Sequence, residues 1–328
     1  MRAAWYTRYG PAREVFVIGE MPTPTPGHGE VLVRVHASGV NPSDYKSRLG
    51  SRGAFAYERI VPHSDGAGVI EAVGPGVSRA RVGQRVWLYE GQWQRPLGTA
   101  AEYIALPAHL AVPLPEALSF AEGACIGIPA MTAHRCLFAD GPVDGATVLV
   151  TGGAGAVGHY AIQLARWAGA GMVIATVSGD AKGAHALAGG ADHAVNYRNG
   201  DAAAEILELT DGHGVDRIVE VDFGGNLPLS EKVLAPNGSV ASYASTGNRE
   251  PTLVYQAFSR RNITFRLVLV YSMPPEAKAD AVDDITDALA EGALWHPVGA
   301  RHSLDDIAAA HEAQEQGAVM GNIVIELP

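Results

Sequence analysis

Cysteine is almost absent: Cys125 and Cys136 are the chain's only two among 328 residues. Their spacing suits neither a zinc ligand set nor a redox pair, and both sit in apolar sequence with a helical look. Reduced core thiols in a reducing compartment are therefore expected. Long hydrophobic runs are also missing. No stretch could span a bilayer, and the opening MRAAWYTRYG lacks the apolar centre of a secretory signal, so a cytosolic location is expected. Positive charge is scarce too. With 24 Lys and Arg against 35 Asp and Glu, the formal net charge is −11, and the one dense basic run is Ser259-Arg260-Arg261. A dedicated nucleic-acid surface, which needs clustered cations, is disfavoured. Neither a repeat of solenoid period nor a low-complexity segment is found.

What remains is the composition of a folded protein, 47% hydrophobic and 18% charged, at a length that suits two domains. Up to about Pro115 the sequence reads as β-rich. Residues 30–35 alternate, 68–73 form a strand bounded by glycine, and 84–89 form another. At Ser119 the periodicity changes, and Glu122 three residues later has the spacing of a helix capping box. From Ala146 strands and helices alternate: strands at 147–150, 172–177, 194–197, 216–221, 239–243 and 263–270, with helices at 157–168 and 181–188. That alternation predicts an α/β domain with a doubly wound parallel sheet, whose ligand crevice lies beyond the carboxyl ends of the strands. Beyond Met273, helices at 275–291 and 304–316 and a strand at 322–326 do not extend the alternation. They are expected to complete the first domain, giving 1–118 with 272–328 around a central domain 119–271.

The most informative segment is 146–158, ATVLVTGGAGAVG, where an apolar strand runs into glycines spaced G-x-G-x-x-G and then into a helix. This arrangement suits a dinucleotide pyrophosphate. Gly153 would permit the tight turn, Gly155 would leave room for phosphate, and Gly158 would let the helix approach the strand. The helix start, with Ala156 and Val157, offers unpaired N–H groups to an anion. After the next strand, Ser178 stands where an NAD-preferring protein usually places a carboxylate on the ribose. Lys182 lies four residues on, and Tyr197 ends the following apolar segment. Donors and positive charge suit a 2′-phosphate, so NADP(H) is favoured over NAD(H). Asp180 opposes this, unless it caps the helix that begins there.

The order of these parts resembles the medium-chain dehydrogenase/reductase superfamily, in its zinc-free quinone oxidoreductase (zeta-crystallin-like) branch. The segments that carry the resemblance are GEVLVRVHASGVNPSDYKSRLG, GAGVIEAVGPGV with VGQRVW, GTAAEYIALPA, GIPAMTAHRCL, GGAGAVG, GADHAVNYR, GVDRIVEVDFGGN and MGNIVIEL. The resemblance implies a discontinuous GroES-like β-rich domain, a central Rossmann domain that binds NADPH, and a cleft where nicotinamide meets substrate. Zinc-dependent relatives place a cysteine, a histidine and a cysteine at positions that here hold Asn41, Ser64 and Ile128. Catalytic zinc needs three protein ligands, and no metal is expected.

Without a metal, hydride could pass from NADPH to a quinone or another α,β-unsaturated carbonyl if donors meet the acceptor's oxygen. The resemblance points to Asn41 and Tyr45 as such donors and to Asp44 as an orienting group. Read alone, the NPSDY segment is a turn. Tyr57, Trp93 and Tyr271 are further candidates for lining the site. The resemblance also implies cofactor contacts at Thr132, Val221, Tyr243, Ala244, Gly321 and Asn322. His159 is expected to serve as a cap or to face solvent, and His134 and His311 are given no role. An enoyl-thioester or alkenal reductase of the same superfamily is one alternative. A non-catalytic NADPH-binding protein, sensor or crystallin-like, is another. The partners expected are a small quinone or enone, with no nucleic acid or membrane, and a second copy paired as a homodimer through an edge strand at 263–270.

Overall fold

The computed structural model describes residues 1–51, 53–317 and 319–328. The chain divides into two compact units, one of Met1–Ile128 with His296–Pro328 and one of Pro129–Trp295.

The first unit opens with β1 (Arg2–Trp5), α1 (Ala12–Val15) and β2 (Val17–Glu20). β3 (Glu30–Val40) follows, then α2 (Pro42–Arg48), β4 (Asp65–Val73), β5 (Arg85–Leu88), β6 (Tyr103–Pro107), β7 (Ala111–Pro113) and α3 (Phe120–Gly123). α4 (Gly127–Phe138) starts in this unit and continues into the next. β3 alternates as its sequence suggests, with Val31, Val33 and Val35 fully buried, and it pairs antiparallel with β4 and β6. Ser119 caps α3 as expected. Its Oγ accepts from Glu122 N at 3.2 Å while Glu122 accepts from Ser119 N at 2.8 Å.

In the second unit β8 (Thr147–Val150), α5 (Ala156–Trp167), β9 (Met172–Val177), α6 (Asp180–Ala188) and β10 (His193–Asn196) come first. α7 (Ala202–Leu209), β11 (Val215–Glu220), α8 (Phe223–Val233), β12 (Leu234–Ser242), α9 (Tyr255–Ser259), β13 (Thr264–Leu267) and α10 (Pro275–Ala290) complete it. The sheet is parallel with order β10-β9-β8-β11-β12-β13. Its central strands are buried on both faces, so Val148, Leu149 and Val150 are all shielded from water, as helices covering two sides require. Leu149, Ile174, Ile218 and Val240 share one core cluster with Ile206 and Leu227 from the helices.

The chain then returns to the first unit with β14 (Val298–Ser303), α11 (Ile307–Gln316) and β15 (Asn322–Glu326). β15 pairs with β3, extending the order to β14-β15-β3-β4-β5-β7. The return begins at His296, not at 272. α10 belongs to the second unit, where Asp284 on it accepts from His134 Nε2 on α4 at 2.7 Å. An amphipathic helix shows which face is buried but not which sheet it covers. The NPSDY segment is not a turn but the start of α2, with Asn41 as N-cap, Pro42 as first helical residue and Asp44 accepting from Asn41 N at 2.7 Å. Asn, then Pro, then an acid at the third position is a helix-start signal in its own right.

Candidate functional site

The sheet of the second unit reverses its winding between β8 and β11, because the chain moves outward to β9 and β10 and then back to β11, β12 and β13. All the strands being parallel, their carboxyl ends share one edge, and the loops there surround the switch point. The loop 151–155 occupies it. Gly152, not Gly153, takes the left-handed turn, at φ +65°, beside the Val221 side chain. Gly153 is needed for packing: a Cβ there would lie 2.7 Å from Ala175 Cβ. At Gly158 a Cβ would collide with the Gly152 carbonyl, so the helix could not sit this close to the loop. Gly155, the exposed N-cap of α5, differs. A Cβ there would meet only Gly152 O, at 3.3 Å. The N–H groups of Ala156 and Val157 open the helix beside this free space, which is the form of an anion cradle.

Other predicted contacts follow neighbouring strands on the same edge. Ser178, half-buried, comes after β9, and the exposed Tyr197 after β10. Lys182 is exposed on α6. The N-cap of α6 is Gly179, so Asp180 does not cap but occupies the first helical position, where an acid complements the helix dipole. Val221 N donates to Thr151 Oγ1 at 2.9 Å. Tyr243 N donates to Glu220 O at 3.1 Å, and Ala244 O accepts from Phe223 N at 2.9 Å. Thr132 is buried on α4 in this unit. Gly321 and Asn322 belong to the other unit, where Asn322 N donates to Pro297 O at 2.8 Å and a Cβ at Gly321 would collide with the same carbonyl.

Sequence reasoning missed Glu220 at the switch point. This fully buried carboxylate accepts from Thr151 Oγ1 at 3.0 Å, Asn226 Nδ2 at 2.8 Å and Asp222 N at 2.5 Å. Burial pushes its pKa up, while these donors oppose the shift. It ties the end of β8 to the start of α8. His159 is neither a cap nor solvent-facing. It is fully buried, with Nε2 at 3.0 Å from Trp295 O.

In the first unit Asn41 and Asp44 are buried and Tyr45 is half-buried. The main organiser is a residue the sequence did not single out, Asp65. Asn41 Nδ2 donates to Asp65 Oδ2 at 2.7 Å, and Ile128 N donates to both carboxylate oxygens, at 2.9 and 3.0 Å. Glycine at 127 is what lets the carboxylate in, since a Cβ there would strike it. Burial raises the Asp65 pKa well above the ordinary range, and the bonds from Asn41 and Ile128 pull the other way. Asp65 therefore cross-links Asn41 and Ile128, two of the three positions that the resemblance matches to the ligands of zinc-dependent relatives. An amide, a hydroxyl and an isoleucine do not make a zinc site, which takes nitrogen and sulfur donors, so the residues present do not fit that metal. An amide carries two N–H groups, and Asp65 takes one of those on Asn41. The Tyr45 phenol is shifted upward by burial and by the Glu315 charge, and so keeps its proton. Tyr57 packs against the cluster of Tyr6, Val15 and Ile60. Tyr271 is buried in the second unit, where its carbonyl accepts from Lys278, and Trp93 is half-buried in the first.

Residues 27–116 match the family model for the alcohol dehydrogenase GroES-like domain, and residues 156–290 match that for zinc-binding dehydrogenase. A human (Homo sapiens) quinone oxidoreductase is 31% identical over 314 residues, covering 95% of this chain and 93% of its own. A 2-haloacrylate reductase of a Burkholderia species is also 31% identical, covering 99% and 98%. Among solved structures, a mycobacterial protein in complex with NADPH superposes with a TM-score of 0.87 at 29% identity, over 100% of both chains. The chain belongs to the medium-chain dehydrogenase/reductase superfamily, in its zeta-crystallin-like quinone oxidoreductase branch.

Proposed function

We propose that this protein is a zinc-independent reductase that uses NADP(H) to transfer hydride to quinones or other α,β-unsaturated carbonyl compounds. The observation that carries the proposal is the glycine cradle at the switch point, closed to side chains at Gly153 and Gly158 but open at Gly155. Its space and its N–H donors fit a pyrophosphate. Ser178, Lys182 and Tyr197, following two adjacent strands, offer donors and one cation for a 2′-phosphate, with Thr132, Val221, Tyr243, Ala244, Gly321 and Asn322 as further cofactor contacts. The bound nicotinamide would supply the hydride. The protein's own share is to bind and orient the cofactor and to stabilise the oxygen that gains charge on the acceptor.

In this reading Tyr45 O–H and the second N–H of Asn41 are the donors to that oxygen. Asp44 acts through its bond to Asn41 N, which fixes the start of α2. The similarity to a 2-haloacrylate reductase supports activated alkenes as acceptors beside quinones. The two buried thiols suit a cytoplasmic setting. We further propose a homodimer through β13, an edge of its sheet, where Leu267 is 76% exposed and Leu269, two residues on, is also exposed. Bare edges with apolar side chains favour pairing. A sedimenting monomer would remove the dimer from this proposal. The reaction is tested by following NADPH oxidation with 1,4-benzoquinone, 9,10-phenanthrenequinone and an alkenal. Turnover with at least one is expected, and tight NADPH binding without turnover on any would mark a non-catalytic binder.

A further inference from the structure

A row of buried polar side chains crosses the first unit and ends on Asp65. Arg48, fully buried on α2, donates from Nε to His311 Nδ1 at 3.4 Å. His311 Nε2 faces His63 Nε2 at 2.9 Å. His63 Nδ1 meets Ser38 Oγ at 2.8 Å, Ser38 Oγ meets Thr99 Oγ1 at 2.7 Å, and Thr99 Oγ1 donates to the Asp65 carbonyl at 2.5 Å. Ser38, His63, Thr99 and His311 are all at 0% exposure.

The ends of this row fix its direction. A guanidinium only donates and a carbonyl oxygen only accepts, while each group between them can do one of each. His311 must then be neutral with its proton on Nε2, and His63 neutral with its proton on Nδ1. Ser38 donates to Thr99, and Thr99 to Asp65. Any other set of tautomers brings two donors or two bare acceptors face to face in the interior, which costs far more there than in water. The far end is anchored as well, since Arg48 also bonds the Gly10 carbonyl and the Glu315 carboxylate. Glu315 lies one turn beyond His311 on α11, so one helix supplies both partners.

The backbone shows independently that this row holds something in place. His63 has φ +75°, a left-handed conformation that costs a non-glycine residue about 1 kcal/mol or more and persists only where its surroundings enforce it. Its two ring bonds, with Thr99 N donating to its carbonyl at 3.0 Å, supply that enforcement. Asp65 is two residues further on. Its carboxylate is held by Asn41 and Ile128, and its backbone by the row.

We infer that Ser38, His63 and His311 are positioning residues: as a one-directional hydrogen-bond relay they lock the 63–65 segment at the entrance to β4, so that Asp65 holds Asn41 and the start of α4 in working geometry. The inference rests on the proposed reductase site only for its kinetic consequence. The tautomers are independent of that reading. In protein labelled with ¹⁵N-histidine at pH 7.5, long-range ¹H–¹⁵N spectra should show His311 protonated at Nε2 and His63 at Nδ1. Two histidines of the same tautomer, or a cationic ring at either position, would overturn the relay.

Kinetics test what the relay is for. Glutamine at 311 can accept from Arg48 through its oxygen and donate to His63 through its nitrogen, whereas leucine can do neither. His311→Leu and Ser38→Ala should lower kcat with 9,10-phenanthrenequinone about tenfold, as small misplacement at a reacting centre does, with KM for NADPH within twofold of the unsubstituted enzyme. His311→Gln should keep at least half of kcat. Equal loss in His311→Gln and His311→Leu, or full kcat in Ser38→Ala, would overturn the positioning role. If the unsubstituted protein turns over no acceptor, the reductase reading fails, and the tautomer spectrum still decides the relay.

Discussion

The two units build their candidate sites in opposite ways. At the switch point of the second unit the site is made by leaving side chains out, with Gly152, Gly153, Gly155 and Gly158 providing a turn, two close contacts and an open space. Around Asp65 in the first unit it is made by pairing side chains, and every polar group of the row from Arg48 to Asp65 meets a partner. A site made of backbone tolerates change around it but not within it. A site made of paired side chains fails when any partner is lost, because the group left behind is buried and unsatisfied.

The sharpest way to break this contrast is at Asp65. Asp65→Asn turns an amide NH2 or a lone carbonyl toward donors that need two acceptors, and should destabilise the protein by about 2–4 kcal/mol, read by urea unfolding, with kcat falling alongside. A loss below 1 kcal/mol would mean the pairing is not what holds this unit together.

Acid should reach the first unit by the same logic. Burial lowers the His63 pKa to about 3 and that of His296 to about 4, and places His311 well below its usual value. A group whose pKa is depressed on folding is protonated more readily in the unfolded chain. Its contribution is complete above about pH 6.5 and is lost progressively as the pH falls from there to the folded values. At pH 5 His63 and His296 should each already cost about 2 kcal/mol, so Tm should drop steeply from pH 7 to pH 5. A flat profile over that range would contradict the buried neutral state.

The nucleotide loop should respond position by position. Gly158→Ala drives a Cβ into the Gly152 carbonyl, and should lower Tm and abolish NADPH binding together. Gly155→Ala should spare Tm to within about a degree, since its Cβ would meet only Gly152 O, but weaken NADPH about tenfold if the proposed phosphate lies in that space. Equal effects at the two positions would erase the distinction between packing and cradle. The smallest effect is expected at Lys182→Ala, which should weaken NADPH by about 1 kcal/mol and leave NADH unchanged. An unaltered preference would reject Lys182 as a 2′-phosphate contact.

The same contrast explains what could be read from the sequence. The second unit's elements are set by local patterns, and strands 147–150 and 172–177 lie where the apolar runs put them. The glycine spacing located the loop, although the turn falls at Gly152 because the left-handed position is set by how β8 ends and not by the motif. Asp65 gave no such signal. Its partners are 24 and 63 residues away, and an Asp between Ser64 and Gly66 reads as a loop residue. His63 and His311, 248 residues apart, are joined only because β15 returns α11 to the first unit. The start of α2 is written in Asn41, Pro42 and Asp44, a capping signal that outweighs the turn propensity of the same residues.

The central claim is that an NADP(H) reductase works here where an amide, a hydroxyl and an isoleucine occupy the zinc positions. It is tested most directly by kcat/KM for 9,10-phenanthrenequinone, with NADPH and then with NADH, before and after exhaustive dialysis against a zinc chelator. Full activity after chelation and at least a tenfold preference for NADPH are expected. Activity that disappears with the chelator and returns with zinc would contradict it.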